Sequence, residues 1–231
     1  GMNDVTRNQQ FTNGLEASDY TFGGILGNTN VDTRPSGLRP GTRLSTSYSN
    51  RTYAGRLMAT YTSGVQENGL AYSVSGSRRW AKQGYIDGTL YDAFSFFGAL
   101  EYRFNEKNSI NLTALWASNR RGRSSAITEE VFDLVGKKYN PYWGDQEGSI
   151  RNSRERKIAE PILMFNYYFN SDKFNLNAGA AYQFGTNSRS RLGYYNAPNP
   201  DPTYYRYLPS FYTNSPVGAT LLARIPQEKV F

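Results

Sequence analysis

The chain alternates. In KFNLNAGAAYQFG, residues 173–185, one set of alternate positions is Phe174, Leu176, Ala178, Ala180, Tyr182 and Phe184. The other is Asn175, Asn177, Gly179, Ala181, Gln183 and Gly185. The first set is apolar and has rings at both ends. The second is small and polar, and carries no charge. Period-two alternation of this length predicts a β-strand with two unlike faces. The pattern recurs at 53–64, 69–80, 91–104, 108–117 and 158–169, and more weakly at 42–50. In 91–104, Phe94, Phe96, Leu100, Tyr102 and Phe104 share one face, and Phe97 is an aromatic exception on the other. In 158–169, Pro161 cannot donate to a ladder, so a bulge or a strand start is expected there.

The connections alternate in length. VQEN, NEK and NSD join successive strands as tight hairpin turns. Between the hairpins lie AKQGYIDGTL, roughly 40 residues from Ala117 to Lys157, and everything after Gly185. Short turns on one edge and long loops on the other fit an outer-membrane barrel, with periplasmic turns and extracellular loops. Phe104 and Trp116 are expected near opposite ends of adjacent strands, as are Tyr167/Phe169 and Tyr182/Phe184, in the manner of interfacial girdles. A soluble β-sandwich with an aromatic core is the alternative, but its strands average only about five or six residues. The expected fold class is all-β, part of a large antiparallel transmembrane β-barrel with about seven strands in this chain.

Composition narrows the chemistry. The 231 residues include no Cys and no His. This removes disulfides, thiolate metal sites, the commonest zinc ligand and the commonest general base. No catalytic residues, metal or cofactor are expected, and the chain is not read as an enzyme. No phosphate loop or dinucleotide fingerprint is present. Glu129-Glu130 could be paired carboxylates. The reading preferred here is the first turn of a short helix, TEEVFDLVGKK, capped by Thr128 and ended by Gly136, with Lys137 and Lys138 at its C-end. No run approaches the roughly 20 apolar residues of a spanning helix. GMNDVTRNQQ lacks the features of a signal peptide. Gly1-Met2 reads as a tag scar or the cut end of a longer protein, and ARIPQEKVF lacks a closing signal. The chain is expected to be a fragment.

The net charge of +7 admits anionic partners. Its cations cluster at the long-loop edge: Arg78 and Arg79; Arg120, Arg121 and Arg123; Arg151, Arg154 and Arg156. They suit either capture of an anionic ligand or pairing with lipopolysaccharide phosphates and loop carboxylates, the second being preferred. No nucleic-acid partner is expected. Two loops, NPYWGDQEG (140–148) and YYNAPNPDPTYYRYLPSFY (194–212), combine rings with rigid prolines. Tyr142, Trp143, Tyr204, Tyr205 and Tyr207 are therefore candidate ligand contacts, together with Arg120, Arg121 and Arg123. Packing of the loops against one another would account for the rings equally well.

Residues 22–34, FGGILGNTNVDTR, resemble the end of the plug domain of a TonB-dependent outer-membrane receptor. Gly23, Gly24 and Gly27 match the family's glycine turn, and Asn30, Val31, Asp32, Thr33 and Arg34 its short strand. GMNDVTRNQQ and YYNAPNPDPTYYRYLPS resemble a branch common in Bacteroidota. The resemblance implies a plug end at 1–34, a linker at 35–41, PSGLRPG, and the first part of a transmembrane barrel with long extracellular loops at 42–231. The family's barrels have 22 strands around a plugged lumen. It also implies a bacterial outer-membrane location and active uptake of a nutrient: an iron chelate, glycan, peptide or cobalamin. Implied partners are outer-membrane lipid and lipopolysaccharide, a small nutrient ligand, the TonB complex through a more N-terminal part, and a surface lipoprotein. The other readings are a plugless porin or adhesin barrel and a soluble β-sheet binding module. The disposition of residues 1–34 separates the first, and a need for detergent separates the second. Seven strands leave two unpaired edges, which lipid does not tolerate, so 1–231 alone is expected neither to insert nor to transport.

Overall fold

A computed structural model describes residues 3–18, 21, 25–218, 220 and 223. The N-terminal part holds a two-stranded hairpin, β1 (Gln9–Thr12) with β2 (Asn28–Val31), and a 3-10 turn at Pro35–Gly37. There follow β3 (Gly41–Tyr48), β4 (Gly55–Thr62), β5 (Leu70–Ala81), β6 (Tyr91–Arg103) and β7 (Asn108–Gly122). Helix α1 (Glu129–Val135) and a small hairpin, β8 (Trp143–Gln146) with β9 (Ser149–Asn152), fill the long connection after β7. The main sheet resumes with β10 (Glu155–Ala159), β11 (Ile162–Asn170), β12 (Asn175–Gln183) and β13 (Thr186–Arg189). A 3-10 turn at Tyr205–Tyr207 and helix α2 (Pro209–Thr213) complete the described elements. The fold is all-β. Among the described residues no helix is long and apolar enough to cross a membrane.

The main sheet is antiparallel throughout and follows the order β12-β11-β7-β6-β5-β4-β3. It is open, with β3 at one edge. The seven alternating segments of the sequence are its strands, with two corrections. β7 runs five residues past Ala117, so Arg120 and Arg121 lie inside a strand and on opposite faces. Trp116 consequently sits mid-strand opposite Phe96, not at a strand end. Of the two outcomes expected at Pro161, the structure shows a strand start at Ile162 and not a bulge. β10 and β11 are one strand interrupted at Glu160-Pro161, yet Ala159 faces Ser118 and Ile162 faces Leu115, so the register is unbroken and no bulge is inserted. β12 and β13 are interrupted at the same level, at Phe184-Gly185.

Register places like with like. Tyr61 faces Val74, Phe96 faces Trp116, Leu100 faces Leu112, Leu112 faces Phe165, and Leu163 faces Tyr182. All of these side chains are exposed, and they form one apolar face across the sheet. The opposite face is polar and largely buried: Thr60, Thr62, Ser73, Ser75, Ser95, Glu101, Asn111 and Thr113. Its hydroxyls satisfy one another across strands, with Thr60 to Ser75 at 2.7 Å and Thr62 to Ser73 at 2.8 Å. The usual distribution is thus reversed, with rings outside and hydroxyls inside.

The polar face is buried by the N-terminal segment lying across it. Val5 packs against Phe97 and Ala99, with Leu38 and Leu115 alongside. This explains Phe97, which breaks the alternation because it supplies the apolar contact for that segment. A second cluster, Ala81, Tyr91 and Ala93 with Tyr53 and Ala54, closes the long-loop end of the same face. Phe97 is fully buried. Phe97→Ala should therefore destabilise the fold by about 3 kcal/mol, as for other core aromatic truncations, and loosen the N-terminal segment. Denaturant unfolding of the purified protein, with protease sensitivity of residues 3–38 as a second readout, checks this.

Candidate functional site

The residues after β2 fasten the N-terminal segment to the polar face. Of the glycine turn, Gly23 and Gly24 lie outside the described residues. Gly27 has φ +80, and a Cβ there would overlap the carbonyl of Thr12, so the tight approach to β1 needs glycine. Asn30 pairs with Gln10 in the hairpin. The strand expected over Asn30–Arg34 stops at Val31, because Asp32 turns to bond Arg34. The Arg34 backbone N–H and Nε donate to Oδ1 of Asp32 at 3.0 Å, and Nη2 donates to Oδ2 at 2.6 Å. The same guanidinium lies 4.8 Å from the ring centre of Tyr168 on β11. Thr33 Oγ1 is 3.4 Å from Thr113 Oγ1 on β7. The Ser36 N–H donates to Glu101 Oε2 on β6 at 3.0 Å, and Arg103 Nε donates to Oε1 at 3.2 Å. Three contacts, from Thr33, Arg34 and Ser36, thus hold residues 32–36 against three strands. Burial alone would raise the Asp32 carboxyl, but its hydrogen bonds to Arg34 outweigh this and hold it below the usual carboxylate range. Arg34 is pushed up in turn, chiefly by its hydrogen bonds to Asp32.

At the other end of the sheet, alternation divides the arginines between the two faces. Arg78 and Arg120 share the apolar face with Lys157. All three have carboxylates within reach: Arg78 Nε is 3.6 Å from Asp92, Arg120 grips Glu155 with two bonds of 2.9 and 2.8 Å, and Lys157 is 3.9 Å from the same Glu155. Asp92 and Glu155 belong to β6 and β10, so the carboxylates that meet Arg78 and Arg120 are strand residues and not the loop carboxylates expected. Arg79, Arg121 and Arg156 lie on the polar face, and so do Arg56 and Arg189. These last two were not singled out from the sequence, although strand parity alone places Arg56. Arg123, Arg151 and Arg154 lie outside the main-sheet strands.

Two larger cavities open among the loops of the described residues. One, of about 790 Å³, is lined by Arg51, Tyr85, Tyr91, Arg121, Arg123 and their neighbours. The other, of about 720 Å³, brings Tyr142 and Trp143 together with Arg120, Arg151, Glu155 and Lys157. Trp143 packs against Gly88, where φ is +66 and any Cβ would overlap the indole. Two buried asparagines tie these loops together. Asn140 Nδ2 donates to the Asp87 and Arg123 carbonyls at 2.9 and 3.1 Å, and Asn152 Nδ2 donates to Gly88 and Arg123 at 2.9 Å each. No periodicity marks either one in the sequence. The candidate residues Tyr204, Tyr205 and Tyr207 line neither cavity. They stack on one another, with centroids 4.7 and 5.5 Å apart, and Tyr205 meets Phe211 at 5.5 Å. Their rings pack a loop.

The Glu129-Glu130 pair begins α1 as read from the sequence, with Thr128 accepting from the Val131 N–H and Gly136 as C-cap. Glu130 also accepts from the Ser210 backbone N–H at 2.8 Å and the Ser210 hydroxyl at 2.6 Å, and so holds the start of α2. Among the described residues no group of acidic side chains is placed to hold a metal ion.

The Asp32–Arg34 latch should respond to pH with a definite sign. The folded pKa of Asp32 lies below its unfolded value, so the latch contributes fully above about pH 4 and is lost as pH falls through the folded pKa. Hydrogen exchange of the Arg34 and Ser36 amides should therefore stay slow from pH 7 to about pH 4 and quicken below it. Asp32→Asn should quicken exchange at every pH.

Compared with known proteins, the sequence matches no family model and no curated protein.

Proposed function

We propose that this chain is the plug end and first barrel strands of a TonB-dependent outer-membrane receptor that takes up a nutrient. The observation carrying the reading is the reversed sheet, whose exposed apolar face spans all seven strand lines while its polar face is buried over β4 to β7. Water would expel such a face, whereas lipid solvates it. From Phe94 to Phe104 the outward positions extend roughly 33 Å along the strand, which at a tilt of about 40° covers an apolar band of about 25 Å. Tyr102 and Phe104, in edge-to-face contact at 5.0 Å, end that band, and the paired charges of Arg78, Asp92, Arg120 and Glu155 flank its other end.

The N-terminal segment favours a plugged receptor over a plugless porin or adhesin. It lies on the polar face, which in a closed barrel would line the lumen, and residues 32–36 are latched there. The long loops form cavities large enough for a small nutrient. On this reading the TonB complex acts through a more N-terminal part, and the free β3 edge pairs with further strands of the complete barrel.

Substitutions on β12 test the reading. Ala180 pairs with Phe165 on the apolar face, and Asn177 pairs with Tyr168 on the polar face. In the full-length protein Ala180→Arg should cost about 2–4 kcal/mol of membrane stability and sharply reduce the heat-modifiable outer-membrane form. Asn177→Arg should leave assembly close to normal. Equal tolerance at the two positions, or recovery of the unaltered protein in a detergent-free soluble fraction, would defeat the proposal.

A further inference from the structure

Among the described strands Arg43 and Arg103 also lie on the polar face and pair with Asp4 and Glu101, but the five arginines at its long-loop end differ from these and from those of the apolar face in one respect. Among the described residues, none of Arg56, Arg79, Arg121, Arg156 or Arg189 is ion-paired with a carboxylate. They are also placed directly opposite one another. Arg56 faces Arg79, Arg121 faces Arg156, and Arg156 faces Arg189. Like charges directly opposed across a ladder destabilise it, and Cβ atoms in such pairs are only about 5 Å apart. The Nε atoms of Arg56, Arg79 and Arg156 are moreover buried without a hydrogen-bond partner. A buried donor left unmatched costs free energy, so this arrangement opposes folding at three places. By alternation Glu160 points to the same face, but it makes no ion pair with any of the five.

The surroundings are built for a ligand. Tyr91, whose hydroxyl accepts from Asn119 at 2.9 Å, lies beside Arg79 and Arg121, and the Arg79 guanidinium is 5.8 Å from the Tyr53 and Tyr91 ring centres. The 790 Å³ cavity begins at Tyr91 and Arg121, takes in Arg51 and Arg123, and has no carboxylate in its lining. Guanidinium forks match carboxylate, sulfate and phosphate oxygens bidentately, and their attraction is least screened where partly buried.

We infer that the arginine ladder on the polar face, with its adjoining cavity, is a binding site for an anionic ligand bearing two or more carboxylate, sulfate or phosphate groups. The inference deepens the receptor reading by naming the substrate class, and rests on it only for the membrane setting. The ligand supplies the countercharge that the chain omits at this end of the polar face and provides elsewhere on the sheet.

The experiment uses the full-length protein in detergent at low salt, titrated calorimetrically with three probes: citrate, tripolyphosphate and a sulfated tetrasaccharide. An uncharged tetrasaccharide is the control. At least one anionic probe should bind, and weaken as salt is raised. Arg79→Gln and Arg121→Gln should each weaken it about tenfold. Arg78→Gln, on the apolar face and outside both cavities, should leave it within about twofold. Without ligand, Arg79→Gln and Arg121→Gln should melt no lower than the unaltered protein, because they relieve like-charge opposition. The probe that binds best assigns the oxyanion. No anionic probe binding better than the control, equal losses from both faces, or a lower melting temperature for the two polar-face variants would overturn the inference. Heat-modifiability on the same samples is scored separately. A properly folded outer-membrane protein that ignores the anions overturns the ligand assignment alone, and a protein soluble without detergent overturns the receptor reading.

Discussion

Everything in this sheet depends on satisfying a buried polar face. Hydroxyl and amide groups removed from water must be hydrogen-bonded, since each orphan costs on the order of 1–3 kcal/mol. The chain meets the requirement in two ways. Within the sheet, Ser and Thr of neighbouring strands bond each other, as in the Thr60–Ser75 and Thr62–Ser73 pairs. Above it, the N-terminal segment lends its own donors, most directly the Ser36 N–H to Glu101. Small side chains are what allow that segment to approach. A face of Lys and Glu would have held it off, and a face of Leu and Val would have left its backbone unmatched. The mildness of the Asn, Ser, Thr and Gly face is therefore a condition for the close approach of a second layer.

The strands were legible in the sequence because period two records a physical asymmetry between two environments, and every long segment carried it. Phe97 was legible as an exception, and packing against Val5 supplied its cause. The latch was only half legible. Arg34 and Thr33 stood out through the resemblance, but nothing local announced that Asp32 would leave the strand to bind Arg34, nor that Glu101 waited on a strand some 65 residues onward. Strand ends were least legible. The run SNRRGR does not look like a strand, since its charges obscure the alternation, and the pairing of β7 with β10 carries it into the sheet. That extension turned three arginines at a loop edge into two on opposite walls and one in the connection. Asn140 and Asn152, which tie the loops together through carbonyls more than ten residues away, had no signature at all, because tertiary hydrogen bonds leave no period.

The ring-rich loops show how composition and role can part. Tyr142 and Trp143 border a cavity and sit beside charge, whereas Tyr204, Tyr205 and Tyr207 spend their faces on each other. Tyrosine content alone could not distinguish these cases, since an edge-to-face stack and a binding platform draw on the same quadrupole.

The paired interruptions at Glu160-Pro161 and Phe184-Gly185 have a mechanical meaning. They fall at one level in neighbouring strands, and a single bond, Phe184 N–H to the Pro161 carbonyl at 3.2 Å, spans the gap. A sheet resists bending through its ladder, so its stiffness is lowest along such a line. β10 and β13 above the line remain zipped to each other, as do β11 and β12 below it. β10 and β11 nevertheless both stay paired in one register to β7, which runs unbroken past the line, so the weakness is confined to the outer edge of the sheet. The sheet has a seam at its outer edge, and Arg156 and Arg189 stand just beyond it.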